Sequence, residues 1–223
     1  MKKIIALAAV LACITIFSSC LTTLQPLVSL DNIVTEDRIT GTWQQDHDTV
    51  RIESMLTSRV IRQHPSENAI SEALPRNDRN KRNFYSKMYI IIFTKNNIYY
   101  CMSAALTRIG GDLYMELSPM FLGDSQSPEG SGNEYSYNYL ATFTIAKIKI
   151  ESNKALSIQF LNGDYIKEQI NVGNIRIKHE HDKLFDKMLI TASTEELNQF
   201  LDKYGHDERL FSTKNSITLT RKG

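Results

Sequence analysis

The sequence has no excess of charge of either sign. Its 223 residues carry 26 Lys or Arg against 25 Asp or Glu. A balance so near neutral gives no general electrostatic attraction for nucleic acid. There is no Gly-rich phosphate loop, no serine elbow and no Cys/His pair, so no motif points to nucleotide binding or nucleophilic catalysis. There is no internal repeat. The apolar run Ile4 to Phe17 is 14 residues long, too short for a helix to cross a ~30 Å hydrocarbon core comfortably. Cysteine is scarce, at three residues, and Trp43 is the single tryptophan.

What is present begins at the N-terminus. Lys2 and Lys3 precede the apolar run, and Phe17-Ser18-Ser19-Cys20 closes it. A charged start, a short apolar stretch and small residues before a scissile bond are the parts of a translocation signal. The stretch resembles a bacterial lipoprotein signal, in which an aliphatic residue and two small residues precede an invariant cysteine; Phe17 takes the aliphatic place here. The resemblance implies cleavage after Ser19, a diacylglycerol on the Cys20 sulfur and an acylated new N-terminus. Three acyl chains exceed the two membrane signals that stable anchoring requires. Leu21, rather than Asp, follows the cysteine, which in the same family implies the outer membrane, facing the periplasm.

That reading disposes of the cysteines. Cys13 leaves with the signal (1–19), Cys20 is lipidated, and Cys101 is left alone with no intramolecular disulfide to make. Cys101 lies between Tyr100 and Met102 in an apolar run and reads as a buried, inert thiol. Loss of Lys2 and Lys3 leaves 24 basic against 25 acidic residues. About 200 residues remain, enough for one domain with a sizeable core. The expected organisation is a signal (1–19), a lipidated N-terminus and tether (20–37), and one β-rich globular domain (38–223).

The pattern along 38–223 is mostly period two. Val50 and Ile52 alternate with Arg51 and Glu53, as in a half-buried strand. Residues 56–85 break the pattern. A short helix is expected over Ser66–Leu74, and the run Arg76–Arg82 reads as an exposed basic loop. Lys87–Thr94 is apolar throughout, so both its faces should be covered. Ile98–Arg108 returns, and Gly110-Gly111 makes a tight turn of the primed type. Leu113, Met115 and Leu117 then face in while Tyr114 and Glu116 face out. After a Pro/Gly/Ser-rich loop (118–133), a long strand is expected over Glu134–Glu151. Its apolar parity changes near Ile145–Lys147, which predicts a β-bulge there. Leu156, Ile158 and Phe160 follow on one face of the next strand. Gly163-Asp164 should cap a short helix ending at Gly173, and Asn174–His181 alternates as a strand, with Lys187–Thr191 as another. Ser193 and Glu196 form a capping box for a helix over 194–204, closed by Gly205. Ser216–Arg221 is the last strand. The sum is mainly β: about nine or ten antiparallel strands in an up-and-down barrel or strongly curved sheet.

Gly41-Thr42-Trp43 at the head of the first strand resembles the Gly-x-Trp motif of lipocalins. The resemblance implies a lipocalin-like barrel in which Trp43 closes one end and an Arg of the last strand, Arg221, stacks on it. A broader stretch, Tyr139–Phe211, is similar to a group of uncharacterised Gram-negative envelope lipoproteins. Its segments are Ala-Thr-Phe-Thr-Ile-Ala-Lys-Ile, Phe-Leu-Asn-Gly-Asp-Tyr, Ile-Arg-Ile-Lys-His-Glu and Ile-Thr-Ala-Ser-Thr-Glu-Glu-Leu. That similarity implies location and fold only.

Few residues invite a chemical role. His179 and His181, two apart, share a strand face, but no third ligand stands nearby, and they read as a polar strand end rather than a metal site. Glu195 and Glu196 sit in the first turn of a helix, where they complement its dipole. Tyr135, Tyr137 and Tyr139 form a same-face stripe, the best candidate for a ligand-binding mouth. No catalytic residue, metal or cofactor is expected. The expectation is a non-enzymatic, lipid-anchored envelope protein whose lipocalin-like domain takes a small apolar ligand. The alternative is a structural or assembly factor that contacts envelope proteins through the loops 56–85 and 118–134.

Overall fold

The computed structural model of the chain describes residues 21–46, 48–58, 78–95, 98–120, 140–184 and 186–222, with backbone alone for 95, 98–99 and 212–215. In chain order its elements are β1 (Thr22–Thr23), β2 (Ile33–Val34), β3 (Gly41–Gln45), β4 (Asp48–Ser54), α1 (Arg79–Ser86), β5 (Tyr89–Lys95), β6 (Ile98–Ile109), β7 (Asp112–Met120) and β8 (Phe143–Ser152). There follow β9 (Ala155–Leu161), α2 (Gly163–Asn171), β10 (His179–Asp182), β11 (Lys187–Ile190), α3 (Thr194–Tyr204) and β12 (Phe211–Arg221). Strands β3 to β9 pair antiparallel in sequence order, and β12 bridges β9 back to β3. The result is a closed eight-stranded up-and-down barrel of lipocalin-like architecture, with no free edge among those eight strands.

The barrel is filled. Trp43, Ile52, Ile91, Leu106, Met115 and Leu156 are each at most 1% exposed and belong to one apolar cluster. Side chains of this size are enough to fill the interior of an eight-stranded barrel. The parity read for β4, β7, β9 and β12 places Val50, Met115, Ile158 and Leu219 in this cluster. The β6–β7 hairpin turns on Gly110 (φ 57°) and Gly111 (φ 87°), the two positive φ values that a type I′ turn requires.

A second apolar layer lies outside the wall. Ala105, Tyr114, Ile145 and Leu161 point away from the interior and meet Leu197, Phe200 and Leu201 of α3, Ile166 of α2, and Leu27 and Val28 of the N-terminal segment. A smaller cluster of Met55, Ile90, Ile92 and Cys101, backed by Tyr85 of α1, covers the outer face of β5. That covering explains the unbroken apolar run of β5.

Several expectations change here. The segment 20–37, expected as a tether, is seated on the barrel from Leu21 onward. Strand β1 lies between β8 and β11, β2 pairs with β6, and Leu27 is wholly buried. Tyr114 and Glu116 face outward as expected, but that face is buried under the N-terminal segment and α3 rather than solvated. The bulge predicted near Ile145–Lys147 is absent. The β7–β8 register runs unbroken from Leu117↔Thr144 to Leu113↔Ile148, and the irregularity falls at Ile150/Ser152. Ile145 fills the outer layer and Ala146 the inner one, so a strand with both faces covered changes apolar parity without a bulge.

The run 76–82 is not all loop. Asp78 accepts from the Asn80 and Lys81 N–H groups at 3.0 Å each and caps α1, a preferred N-cap role for aspartate. Helix α2 is capped by the Asn162 side chain, which accepts from Tyr165 N–H at 3.2 Å, rather than by Gly163-Asp164. The N–H groups of Asn174 and Ile175 bond back to the Gln169 carbonyl at the end of α2, and the strand starts only at His179. The short helix expected over Ser66–Leu74 lies outside the described residues. The capping box of Ser193 and Glu196 is formed in full.

Candidate functional site

The first constellation closes one end of the barrel. Trp43 on β3 and Arg221 on β12 are direct cross-strand partners. The Arg221 guanidinium carbon lies 4.3 Å from the Trp43 ring centroid, well inside cation–π range. Its three nitrogens each donate to a backbone carbonyl: Nε to Asn153 at 2.8 Å, Nη1 to Thr40 at 2.9 Å and Nη2 to Arg38 at 2.7 Å. The Trp43 Nε1–H donates to the Ile39 carbonyl at 2.8 Å. One side chain thus joins the approach to β3, the β8–β9 turn and the last strand. Gly41 completes the motif for a steric reason. Its φ is +132°, and a Cβ there would collide with Arg221 Nη1. The Gly-x-Trp spacing therefore leaves space for the arginine beside the ring.

An open depression of about 520 Å³ lies beside this closure, walled by Asp37, Thr40, Thr42, Glu53 and Ser54 among others. It opens to solvent, unlike the enclosed cavity in which a small ligand is normally buried.

The second constellation is the seat of the N-terminal segment. Glu116 on β7 is 6% exposed. Its Oε2 accepts from the Val28 N–H at 3.0 Å and from the Leu27 N–H. Burial pushes its carboxyl up to about 7, although the two N–H donors pull the other way. Desolvation of a carboxylate wins here because both donors are neutral amides. Around it Asn198 Nδ2 donates to the Leu27 carbonyl at 3.0 Å, Thr194 Oγ1 to the Pro26 carbonyl at 2.6 Å, and Thr107 Oγ1 to the Asn32 carbonyl at 2.9 Å. These bonds satisfy backbone groups of a segment that has little ladder of its own.

Next to Glu116 on the same face, Tyr114 is fully buried, and its hydroxyl has no protein hydrogen-bond partner among the described residues. Burial raises its pKa, and Asp112 and Asp202 add to the effect. The hydroxyl lies against Gly205, where a Cβ would collide with it and with the Leu201 carbonyl. Helix α3 therefore ends on a residue in ordinary right-handed conformation (φ −63°). Glycine is needed there for close approach rather than for a left-handed turn. Lys147 completes this corner, with Nζ 2.6 Å from Asp112 and 3.0 Å from the Gly205 carbonyl.

Of the residues singled out from sequence, Trp43 and Arg221 are brought together. Cys20 and the Tyr135, Tyr137 and Tyr139 stripe lie outside the described residues. His179 Nδ1 is 2.9 Å from the Ile177 carbonyl and His181 Nε2 is 2.9 Å from Asp186. Each ring thus has its own partner. Among the described residues no three His, Cys, Asp or Glu side chains are grouped to hold a metal. Burial pushes the Cys101 thiol up, away from the thiolate form in which cysteine reacts. Glu116 was missed in the sequence because an alternating strand assigns its outward residues to solvent. An outward Tyr-x-Glu opposite a long apolar N-terminal stretch was the available signal.

Among the described residues no helix is long and apolar enough to cross a membrane. Comparison with protein-family models, with curated proteins and with solved structures finds no match to this chain.

Proposed function

We propose that this chain is a non-enzymatic, lipid-anchored protein of the bacterial envelope, held at the outer membrane through Cys20 and facing the periplasm. On this reading the barrel is a scaffold whose outer surface meets other envelope proteins. The observation that favours scaffold over carrier is the apolar packing inside the barrel, where Trp43, Ile52, Ile91, Leu106, Met115 and Leu156 are buried in one cluster. Leu56 is 41% exposed and Leu140 is 64% exposed. The most perturbed carboxyls also have structural partners. Glu116 holds the N-terminal segment, and Asp207 binds Arg209 and Tyr165.

The test is native mass spectrometry of the protein taken from its own envelope in mild detergent. Co-purification of a stoichiometric protein partner is expected. A stoichiometric small apolar molecule with no protein partner would overturn the scaffold reading in favour of a carrier. The anchor is tested by Cys20→Ser, which should abolish acylation. If this variant is still cleaved, it should leave the membrane.

A further inference from the structure

The N-terminal segment is pinned at both ends and held differently between them. Thr22 and Thr23 pair with β8 and β11, and Ile33 and Val34 pair with β6. Over 25–32 the one backbone-to-backbone bond among the described residues is local, from the Ile33 N–H to the Ser29 carbonyl at 3.1 Å. The hydrogen bonds that tie this stretch to the barrel and α3 come from side chains. Thr107, Thr194 and Asn198 donate to the carbonyls of Asn32, Pro26 and Leu27. Among the described residues Glu116 is the barrel side chain that accepts from it, taking the Leu27 and Val28 N–H groups on a single oxygen, Oε2. A stretch fixed by ladders at its ends and by a few side chains between them is a unit that opens without the rest of the fold.

No counter-charge faces Glu116. Its direct cross-strand partners are Ala105 on β6 and Ile145 on β8. The stretch above it brings Leu27 and Val28, and α3 brings Leu197 and Asn198 against Leu27. Its titratable neighbour on β7 is Tyr114, two residues away on the same face and kept neutral by burial. The charged groups of the covering elements point elsewhere. Asp31 on the segment and Glu195, Asp202 and Lys203 on α3 are exposed, and Glu196 pairs with Lys178 at 2.8 Å. What acts on the Glu116 carboxyl is burial and the two N–H donors. Ionisation therefore puts a charge where only amide dipoles answer it, and opening the stretch returns that carboxylate to water.

We propose that residues 25–32 form a proton-controlled strap: protonated Glu116 holds it closed over the outer face of β7, and loss of that proton lets it lift while Thr22–Thr23 and Ile33–Val34 stay paired. Opening uncovers Leu27 and Val28 together with Tyr114 and Glu116. The direction follows from linkage. The closed fold keeps the Glu116 proton up to about pH 7, whereas the opened carboxyl returns toward its ordinary 4.5. Closure is strongest below pH 4.5 and weakens as pH rises through 7. Between pH 5 and pH 8 the opening equilibrium should rise about 70-fold.

The test is amide hydrogen exchange on the full chain at pH 5, 6, 7 and 8, read by mass spectrometry and corrected for the intrinsic exchange rate. Peptides covering 25–32 are compared with peptides from β4 and β9 of the barrel. Strap amides should lose protection by about 70-fold over this range, while the barrel amides keep theirs. In Glu116→Gln, which keeps an acceptor oxygen but has no proton to lose, the strap should show no such pH dependence. Strap protection that stays flat with pH in the wild type would overturn the proposal, and this reading does not require the variant to fold. Equal loss in strap and barrel would overturn it too, since the strap would then open only with the whole domain. A Glu116→Gln strap that follows the wild-type pH curve would remove Glu116 as the controlling group.

Discussion

Arg221 and Trp43 face each other across the β12–β3 pair, with the guanidinium over the indole at 4.3 Å and its three nitrogens on three backbone carbonyls. Arg221→Ala removes the cation–π contact and leaves those carbonyls without their donor. The expected loss is about 2–4 kcal/mol of stability. Trp43 is the sole tryptophan, so its emission reports the change directly. Arg221→Lys keeps the charge but cannot reach three carbonyls at once and should fall between wild type and Ala. Urea titration monitored at Trp43 decides; an unchanged midpoint in Arg221→Ala would contradict the closure.

Gly41→Ala meets two obstacles, a φ of +132° and a collision with Arg221 Nη1. It should cost about 1–3 kcal/mol from the backbone alone, with more from the clash. The double variant with Arg221→Ala should lose less than the two single losses combined, because the collision disappears while the backbone penalty stays. Strict additivity in a double-mutant cycle would separate Gly41 from the arginine.

Glu116 should make stability depend on pH. Its carboxyl ionises at about 7 in the fold, against an ordinary value of 4.5. The folded chain therefore keeps this proton to higher pH than the unfolded chain does. The contribution is complete below pH 4.5 and is lost as pH rises through 7. The gap corresponds to roughly 3 kcal/mol. Glu116→Gln still presents a carbonyl oxygen to the Leu27 and Val28 N–H groups but does not titrate. Its unfolding free energy should be flatter between pH 5 and 8 than that of the wild type. Equal slopes would remove Glu116 as the source.

The contact of Tyr114 with Gly205 gives a paired test. Gly205→Ala places a methyl group against the Tyr114 hydroxyl and the Leu201 carbonyl and should cost about 1–3 kcal/mol. Tyr114→Phe removes a buried hydroxyl without a protein partner and should be neutral or stabilising by up to about 1 kcal/mol. In the Phe background the cost of Gly205→Ala should fall without vanishing, since the carbonyl remains. Thermal unfolding of the four variants checks this.

The inner layer of the fold was legible because it follows a local rule. Val50/Ile52, Leu113/Met115/Leu117 and Leu156/Ile158/Phe160 alternate, and the alternation places them inside whatever closes the barrel. The Gly41/Trp43 motif and a late arginine were enough to pair Trp43 with Arg221. The outer layer was not legible, for a physical reason. Alternation shows which residues leave the interior, not what covers them afterwards. Glu116 and Tyr114 became core because Leu27, Val28 and α3 arrive from distant parts of the chain. Ile145 appeared to need a bulge because its outward face was assumed to be wet. Strands β1 and β2, two residues each, are too short to show a period, so 21–37 read as tether.

The seating of that N-terminal segment also sets an order of events. A chain is synthesised from its N-terminus, and Thr22 and Thr23 are among the first described residues to appear. Their partners are on β8 and β11, and Leu27 receives a hydrogen bond from Asn198, 171 residues later. β1 and the Leu27 carbonyl therefore stay without these partners until β11 and α3 have followed, whereas Glu116 and β6, which meet Leu27, Val28 and β2, come from the first half of the domain. The outer apolar face of β7 and β8 is completed only when α3, the element after β11, packs on it.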